Sequence, residues 1–118
     1  RYGFIDRYSA NPEEVIWIDT PSHYILHYAN SWEYKNKDGD TMIVTYGCST
    51  DNFDVEFKAE HPFSKKDGYS NRFTKLEFNL TQRTFHRRVM IDDVTVEFPM
   101  IEHSLIGYKN RYCYLSYG

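Results

Sequence analysis

The chain has 118 residues, with 14 Lys and Arg against 17 Asp and Glu for a formal charge of −3. A chain of that length forms one small domain at most, and the acidic balance, with no basic run beyond the Arg87-Arg88 and Lys65-Lys66 pairs, argues against a nucleic-acid surface, which needs a basic stripe. The 41% of hydrophobic residues are spread too thinly for a transmembrane helix.

Arg1 to Arg7 reads as a short strand, ended by the turn-like Ser9-Ala10-Asn11-Pro12. Val15 to Ile18 lacks alternation and is expected to be buried on both faces, with Thr20-Pro21-Ser22 breaking it. Next comes HYILHYANSWEY, His23 to Tyr34. Its Tyr, Ile and Trp favour a pleated chain, and no cap residue opens a helix. In a strand His23 and His27 share a face but stand roughly 13 Å apart, too far to hold one ion. The helical alternative, a zinc-binding HxxxH, lacks the Glu of HExxH chemistry. On spacing alone, an isolated strand histidine is more often a satisfied core or surface residue than a metal ligand, and both readings of His27 stay open.

Lys35 to Asp40 has the charge and the Gly of a hairpin loop and lacks the alternating ligands of a calcium loop. Thr41 to Cys48 should pair back on the His27 strand. Residues 49–71 form a polar stretch with an isolated FDVEF, expected to be a variable loop or insertion; no chemistry is assigned to it, and His61 reads as a solvated loop residue. Arg72 to Leu80 alternates, with Arg72, Thr74, Leu76, Phe78 and Leu80 on one mainly apolar face. Thr84 to Ile91 returns beside it, with Arg87-Arg88 as a solvated edge and His86 at the surface. Val94 to Pro99 and Tyr112 to Tyr117 are further strands. Cys48 and Cys113 read as reduced, space-filling thiols, and the Asn79-Leu80-Thr81 sequon reads as chance. Short strands separated by turn signals, with no helical periodicity, point to an all-β antiparallel fold. Periodicity does not separate a sandwich from a propeller. The chain opens on Arg1 and stops in mid-strand, so it is expected to be a piece of a larger protein whose location, cytoplasmic or plastid, these residues do not reveal.

Three segments in order carry a family likeness. His27-x-x-Asn30-Ser31-Trp32-Glu33 resembles the H-x-x-N-[AST]-[WY]-E segment of the carotenoid cleavage oxygenases, which include carotenoid dioxygenases and the retinoid isomerohydrolase. Arg1-Tyr2-Gly3-Phe4-Ile5-Asp6-Arg7 is similar to that family's R-[FI]-G-[VI]-[LM]-P-R, with Asp6 where Pro is usual. Val96-Glu97-Phe98-Pro99, then Gly107 and Arg111-Tyr112-x-Tyr114, resembles its E-F-P…G…R-Y-x-Y run. Ordered motifs are far more specific than any one alone. The resemblance implies that the chain is part of a single propeller domain, about two blades of a seven-bladed β-propeller with Fe(2+) on its axis. It also implies a four-histidine iron site without a carboxylate ligand. Of those ligands His27 is the one matched here; His23, His61, His86 and His103 fall outside the motifs. Glu97 takes the place of the carboxylate that receives the ligand's second N–H, against the plain reading of an exposed strand glutamate. Asn30 is expected to hold backbone through its side chain, and Trp32 to pack between blades. The implied activity is oxidative cleavage of a conjugated C=C in a carotenoid or apocarotenoid by O₂. The alternatives are stilbene cleavage, retinoid isomerohydrolysis, and, from another class, a non-enzymatic β-propeller binding module. Peripheral membrane association through other parts of the protein is compatible with all of these.

Overall fold

The structure, a computed structural model, describes residues 1–51 and 71–117. Eight strands account for most of them: β1 (Tyr2–Phe4), β2 (Ile16–Ile18), β3 (Tyr24–Lys35), β4 (Thr41–Thr50), β5 (Arg72–Asn79), β6 (Thr84–Ile91), β7 (Val96–Met100) and β8 (Tyr114–Tyr117). Every pairing is antiparallel. β3-β4-β5-β6 form a four-stranded meander, while β1-β2 and β7-β8 are separate two-stranded sheets. The expected FDVEF segment and His61 lie outside the described residues. Ser49 and Thr50, expected to open the loop, instead extend β4, paired with Ile25 and Tyr24.

The meander is covered on both faces. On one, Ile18, Leu76 and Phe78 form a buried cluster with Tyr2, Phe4, Ile16, Ile25, Ile43 and Phe85 packed around it. On the other, Cys48, Phe73 and Val96 are buried with Ala29, Tyr46, Ile91, Cys113 and Leu115 around them. A four-stranded up-and-down sheet with another sheet against each face is how consecutive propeller blades stack, and it is the expected all-β fragment: one whole meander and parts of its two neighbours. Double coverage also explains two departures from expectation. β5 buries Phe73 as well as Leu76 and Phe78, on opposite faces, so the single apolar face read from its alternation is only half of its burial. β2, expected to be buried on both faces, buries Ile18 but leaves Trp17 at 53% exposure, because its sheet has one covered side here.

Local chemistry closes the turns. Asp6 accepts the Tyr8 N–H at 2.8 Å through Oδ1, an Asx turn that bends the chain after a strand shorter than expected. In the β3–β4 loop the Asn36 Oδ1 accepts the N–H groups of Asp38 and Asp40, both at 2.9 Å, with Gly39 at φ 83°. Asp40 Oδ2 then takes the Asn79 amide at 2.8 Å, so the sequon asparagine is part of the hairpin packing.

Candidate metal centre

β3 is not regular, and its irregularities decide where its side chains point. The register jumps between Ile25 and His27 and again between Tyr28 and Asn30. Residues paired across an antiparallel ladder share a face, and Ile25 pairs with Ser49 whereas His27 pairs with the next residue, Cys48. The extra residue, Leu26, therefore turns His27 to the opposite face from Ile25, as a β-bulge does. The second bulge, at Ala29, returns Asn30 to that face, opposite Tyr46. His27 and Asn30 are three residues apart, an odd spacing that a regular strand would split between faces; the two bulges place both toward β7-β8. The expectation that His23 and His27 share a face is thereby corrected: His23, before the first bulge, lies with Tyr2 and Phe85 on the other side.

Gly47 makes the bulged strand possible. A Cβ there would meet the Ile25 Cγ2 at 2.8 Å and the His27 carbonyl oxygen at 3.0 Å. A glycine inside a strand is the sequence signal of such an approach, and it was there to be read in Thr45-Tyr46-Gly47-Cys48.

The two imidazoles differ in what is left over. His23 Nδ1 lies 2.8 Å from the Pro21 carbonyl oxygen, which can only accept, so Nδ1 donates; its Nε2 then faces the Tyr2 hydroxyl at 2.8 Å. Burial, reinforced by Tyr28, raises the Tyr2 pKa strongly, so the phenol keeps its proton and donates it to Nε2. Both nitrogens of His23 are engaged. His27 Nδ1 instead lies 2.8 Å from Glu97 Oε2, 70 residues away in sequence. A carboxylate accepts, so Nδ1 carries the proton and the lone pair is on Nε2, which has no hydrogen-bond partner among the described residues. A ligating histidine is commonly held this way.

Glu97 is built to hold its position. Its side chain is 17% exposed, and Oε2 also takes its neighbour's N–H, from Phe98, at 3.1 Å. Oε1 accepts the Asn71 amide, and the Glu97 carbonyl takes the Ser116 hydroxyl at 2.9 Å. Phe98 sits at φ 50°, in the left-handed region that costs a non-glycine residue about 1–3 kcal/mol. The Phe98 ring lies 5.1 Å from the His27 ring. Cys48, across from His27, has its pKa pushed up to about 12, first by burial and then by the Glu97 charge, and stays a neutral thiol filling space.

Asn30 does what its type suggested. Its amide nitrogen stands 3.1 Å from Leu105 O, 2.8 Å from Tyr108 O and 2.8 Å from Asn110 Oδ1, and its Oδ1 takes the Gly107 N–H at 2.9 Å. Trp32 stacks on Tyr46, and Tyr46 on Phe73. His86 lies exposed on the edge strand β6 and His103 in an exposed 3-10 turn. Among the described residues no group of three His, Cys, Asp or Glu side chains comes together. Asn71 was not singled out from the sequence, where a lone asparagine before a strand carries no signal.

The fold and this site define a β-propeller segment with a carboxylate-oriented histidine on β3, at one edge of the four-stranded sheet. The family profile described as retinal pigment epithelial membrane protein matches residues 1–118, and the chain belongs to that family, the carotenoid cleavage oxygenases. The carotenoid 9,10(9',10')-cleavage dioxygenase 1 of Pisum sativum is 28% identical over 114 residues, 97% of this chain and 20% of the relative. A chloroplastic 9-cis-epoxycarotenoid dioxygenase of Arabidopsis thaliana is 26% identical over 118 residues, 98% of this chain and 19% of its own length. The chromoplastic zeaxanthin 7,8(7',8')-cleavage dioxygenase of Crocus sativus is 23% identical over 118 residues, 29% of its length. The chain thus spans about a fifth of the first two of these relatives.

Proposed function

We propose that the protein to which this chain belongs is a non-haem Fe(2+) enzyme that cleaves a conjugated C=C bond of a carotenoid or apocarotenoid with dioxygen. His27 is one metal ligand, through Nε2, and Glu97 is its orienting partner. The observation that carries the reading is the 2.8 Å contact between His27 Nδ1 and Glu97 Oε2, because it leaves the free lone pair on the nitrogen that a metal would use. The donor set suits iron: imidazole is a good ligand for it, and a neutral ligand backed by a carboxylate moves the balancing charge one shell outward. The relatives named above are dioxygenases of carotenoids, which favours oxidative cleavage over isomerohydrolysis or simple binding.

Bound ferrous ion supplies the redox chemistry by which one O₂ adds across the double bond, one oxygen ending on each of two carbonyl products. This chain's part is positional. The Glu97 carboxylate keeps the His27 proton on Nδ1, the bulges aim the ring away from the β1-β2 core, and the exposed Phe98 ring, 5.1 Å from the imidazole, offers an apolar surface that suits a polyene. The test is incubation of the full-length protein, loaded with ferrous iron, with a carotenoid, an apocarotenoid and a retinoid ester under air and under argon. Two carbonyl fragments under air and none under argon are expected; an intact polyene in iron-loaded protein would contradict the reading, and ester cleavage under argon would replace it with isomerohydrolysis.

A further inference from the structure

Asn71 stands immediately before β5 and is 1% exposed. Its backbone carbonyl accepts the Val96 N–H at 3.1 Å, which ties the start of β5 to the start of β7. Its side-chain amide donates to Glu97 Oε1. The orientation of that amide is settled by chemistry, since turning it over would set a carbonyl oxygen against a carboxylate oxygen, two groups that only accept. In this orientation the Asn71 Oδ1 is buried with no hydrogen-bond partner among the described residues.

The distribution of donors is uneven. Oε2 of Glu97 receives His27 Nδ1–H and the Phe98 N–H, whereas Oε1 receives Asn71. The donors on Oε2 hold the carboxylate at one point and the donor on Oε1 holds it at a second, so that together they fix its plane. An asparagine kept for packing alone satisfies both ends of its amide, as Asn30 does. Asn71 gives its nitrogen to Glu97, and its buried oxygen has no partner among the described residues, so the donor end of the amide is the one put to use here.

We infer that Asn71 is a positioning residue for the metal centre: it fixes the plane of the Glu97 carboxylate so that Oε2 stays on His27 Nδ1 and the Nε2 lone pair keeps its direction. The inference rests on the reading of His27 as an iron ligand. Asn71 acts through Glu97 and touches neither metal nor substrate.

Asn71→Leu is the sharpest variant, because leucine has the same branching, fills the site, removes the donor and removes the bare carbonyl as well. In the full-length protein three quantities are read: iron kept against a chelator, the unfolding midpoint, and the His27 tautomer in metal-free, histidine-labelled protein by nitrogen NMR. Asn71→Leu should keep about a tenth of the wild-type iron affinity, leave the unfolding midpoint where it was, and replace the single Nδ1–H tautomer with a mixture. Asn71→Ser, which retains a donor, should hold more iron than Asn71→Ala. In a Glu97→Ala background, Asn71→Leu should cost nothing further, since the two act as one unit.

Wild-type iron affinity together with a single tautomer in Asn71→Leu would overturn the inference. So would an equal further loss in the Glu97→Ala background. Should Asn71→Leu fail to fold, the comparison of serine with alanine decides, and equal iron affinity in those two overturns it. Iron kept by His27→Ala would instead remove the underlying ligand reading while leaving the tautomer result to stand by itself.

Discussion

The two faces of the β3-β4-β5-β6 sheet are covered by different chemistry. Against β1-β2 the contact is apolar, Ile18 with Leu76 and Phe78, rimmed by Phe4, Ile16, Ile43 and Phe85, and its imidazole, His23, has both nitrogens tied off. Against β7-β8 the apolar patch of Cys48, Phe73 and Val96 is bordered by polar stitching: His27 and Asn71 to Glu97, Asn30 to the backbone at Leu105, Gly107 and Tyr108. Burial of apolar area is strong but non-directional, whereas hydrogen bonds contribute less and fix direction. One face therefore holds the sheet together and the other holds a side chain still. Stability and metal binding should accordingly separate by face when residues are changed.

The largest separation is expected from Phe78→Ala. Phe78 is 1% exposed and in ring contact with Tyr2, Phe4 and Phe85, so its truncation should cost about 3–5 kcal/mol in denaturant unfolding of the full-length protein. The molecules that remain folded should bind iron normally. Loss of iron affinity in that folded fraction would break the division between faces. On the other side, Glu97→Gln should cost about 10 to 100-fold in iron affinity with little change in unfolding, because the amide oxygen can still accept the His27 proton but brings no charge. Gly47→Ala is a test of the bulge: the added methyl meets Ile25 and the His27 carbonyl, so it should weaken iron binding although residue 47 touches no ligand nitrogen. The smallest effect is electrostatic. The Asn79 amide, and after it that of Gln82, holds the Asp40 pKa below its usual value, with burial opposing. A depressed carboxyl contributes stability above the unfolded-state pKa, about 3.9, and loses it as pH falls through the lower folded value. Replacing Asn79 by Ala should therefore lower stability slightly at neutral pH, where that contribution is present, leave it unchanged below the folded-state value, and so flatten the acid limb of the stability profile.

Much of this was open to reading. The strands announced themselves through β-branched and aromatic runs between turn residues, and Asn36 and Gly39 marked the β3–β4 hairpin. The E-F-P and H-x-x-N segments pointed to Glu97 and His27, and the structure brings those two side chains into contact. What alternation could not give was the face of each residue in β3, because a bulge shifts parity and nothing in His23-Tyr24-Ile25-Leu26-His27 marks where the extra residue falls; the glycine that accommodates it sits on the partner strand. Nor could a period-2 pattern reveal that Phe73 and Leu76 serve different neighbours, since a doubly covered sheet is apolar on both sides. Arg87 has, with Arg88, the local pattern of a solvated edge, yet it makes a two-pronged pair with Asp51 at 2.7 and 3.2 Å, a partner 36 residues back that local pattern does not reach. Asn71 is the same case at the site itself: its role exists only once β5 and β7 lie side by side.

The central claim is that His27, alone among the described histidines, gives a nitrogen to the metal. Its most direct test is the iron content of the full-length protein carrying His27→Ala, measured beside His23→Ala and His86→Ala after equal loading and dialysis. His27→Ala should retain no iron and cleave no polyene, while His23→Ala and His86→Ala, if folded, should hold the wild-type complement. Wild-type iron and cleavage in His27→Ala would contradict the account, and iron loss confined to His86→Ala would show that the ligand is on β6.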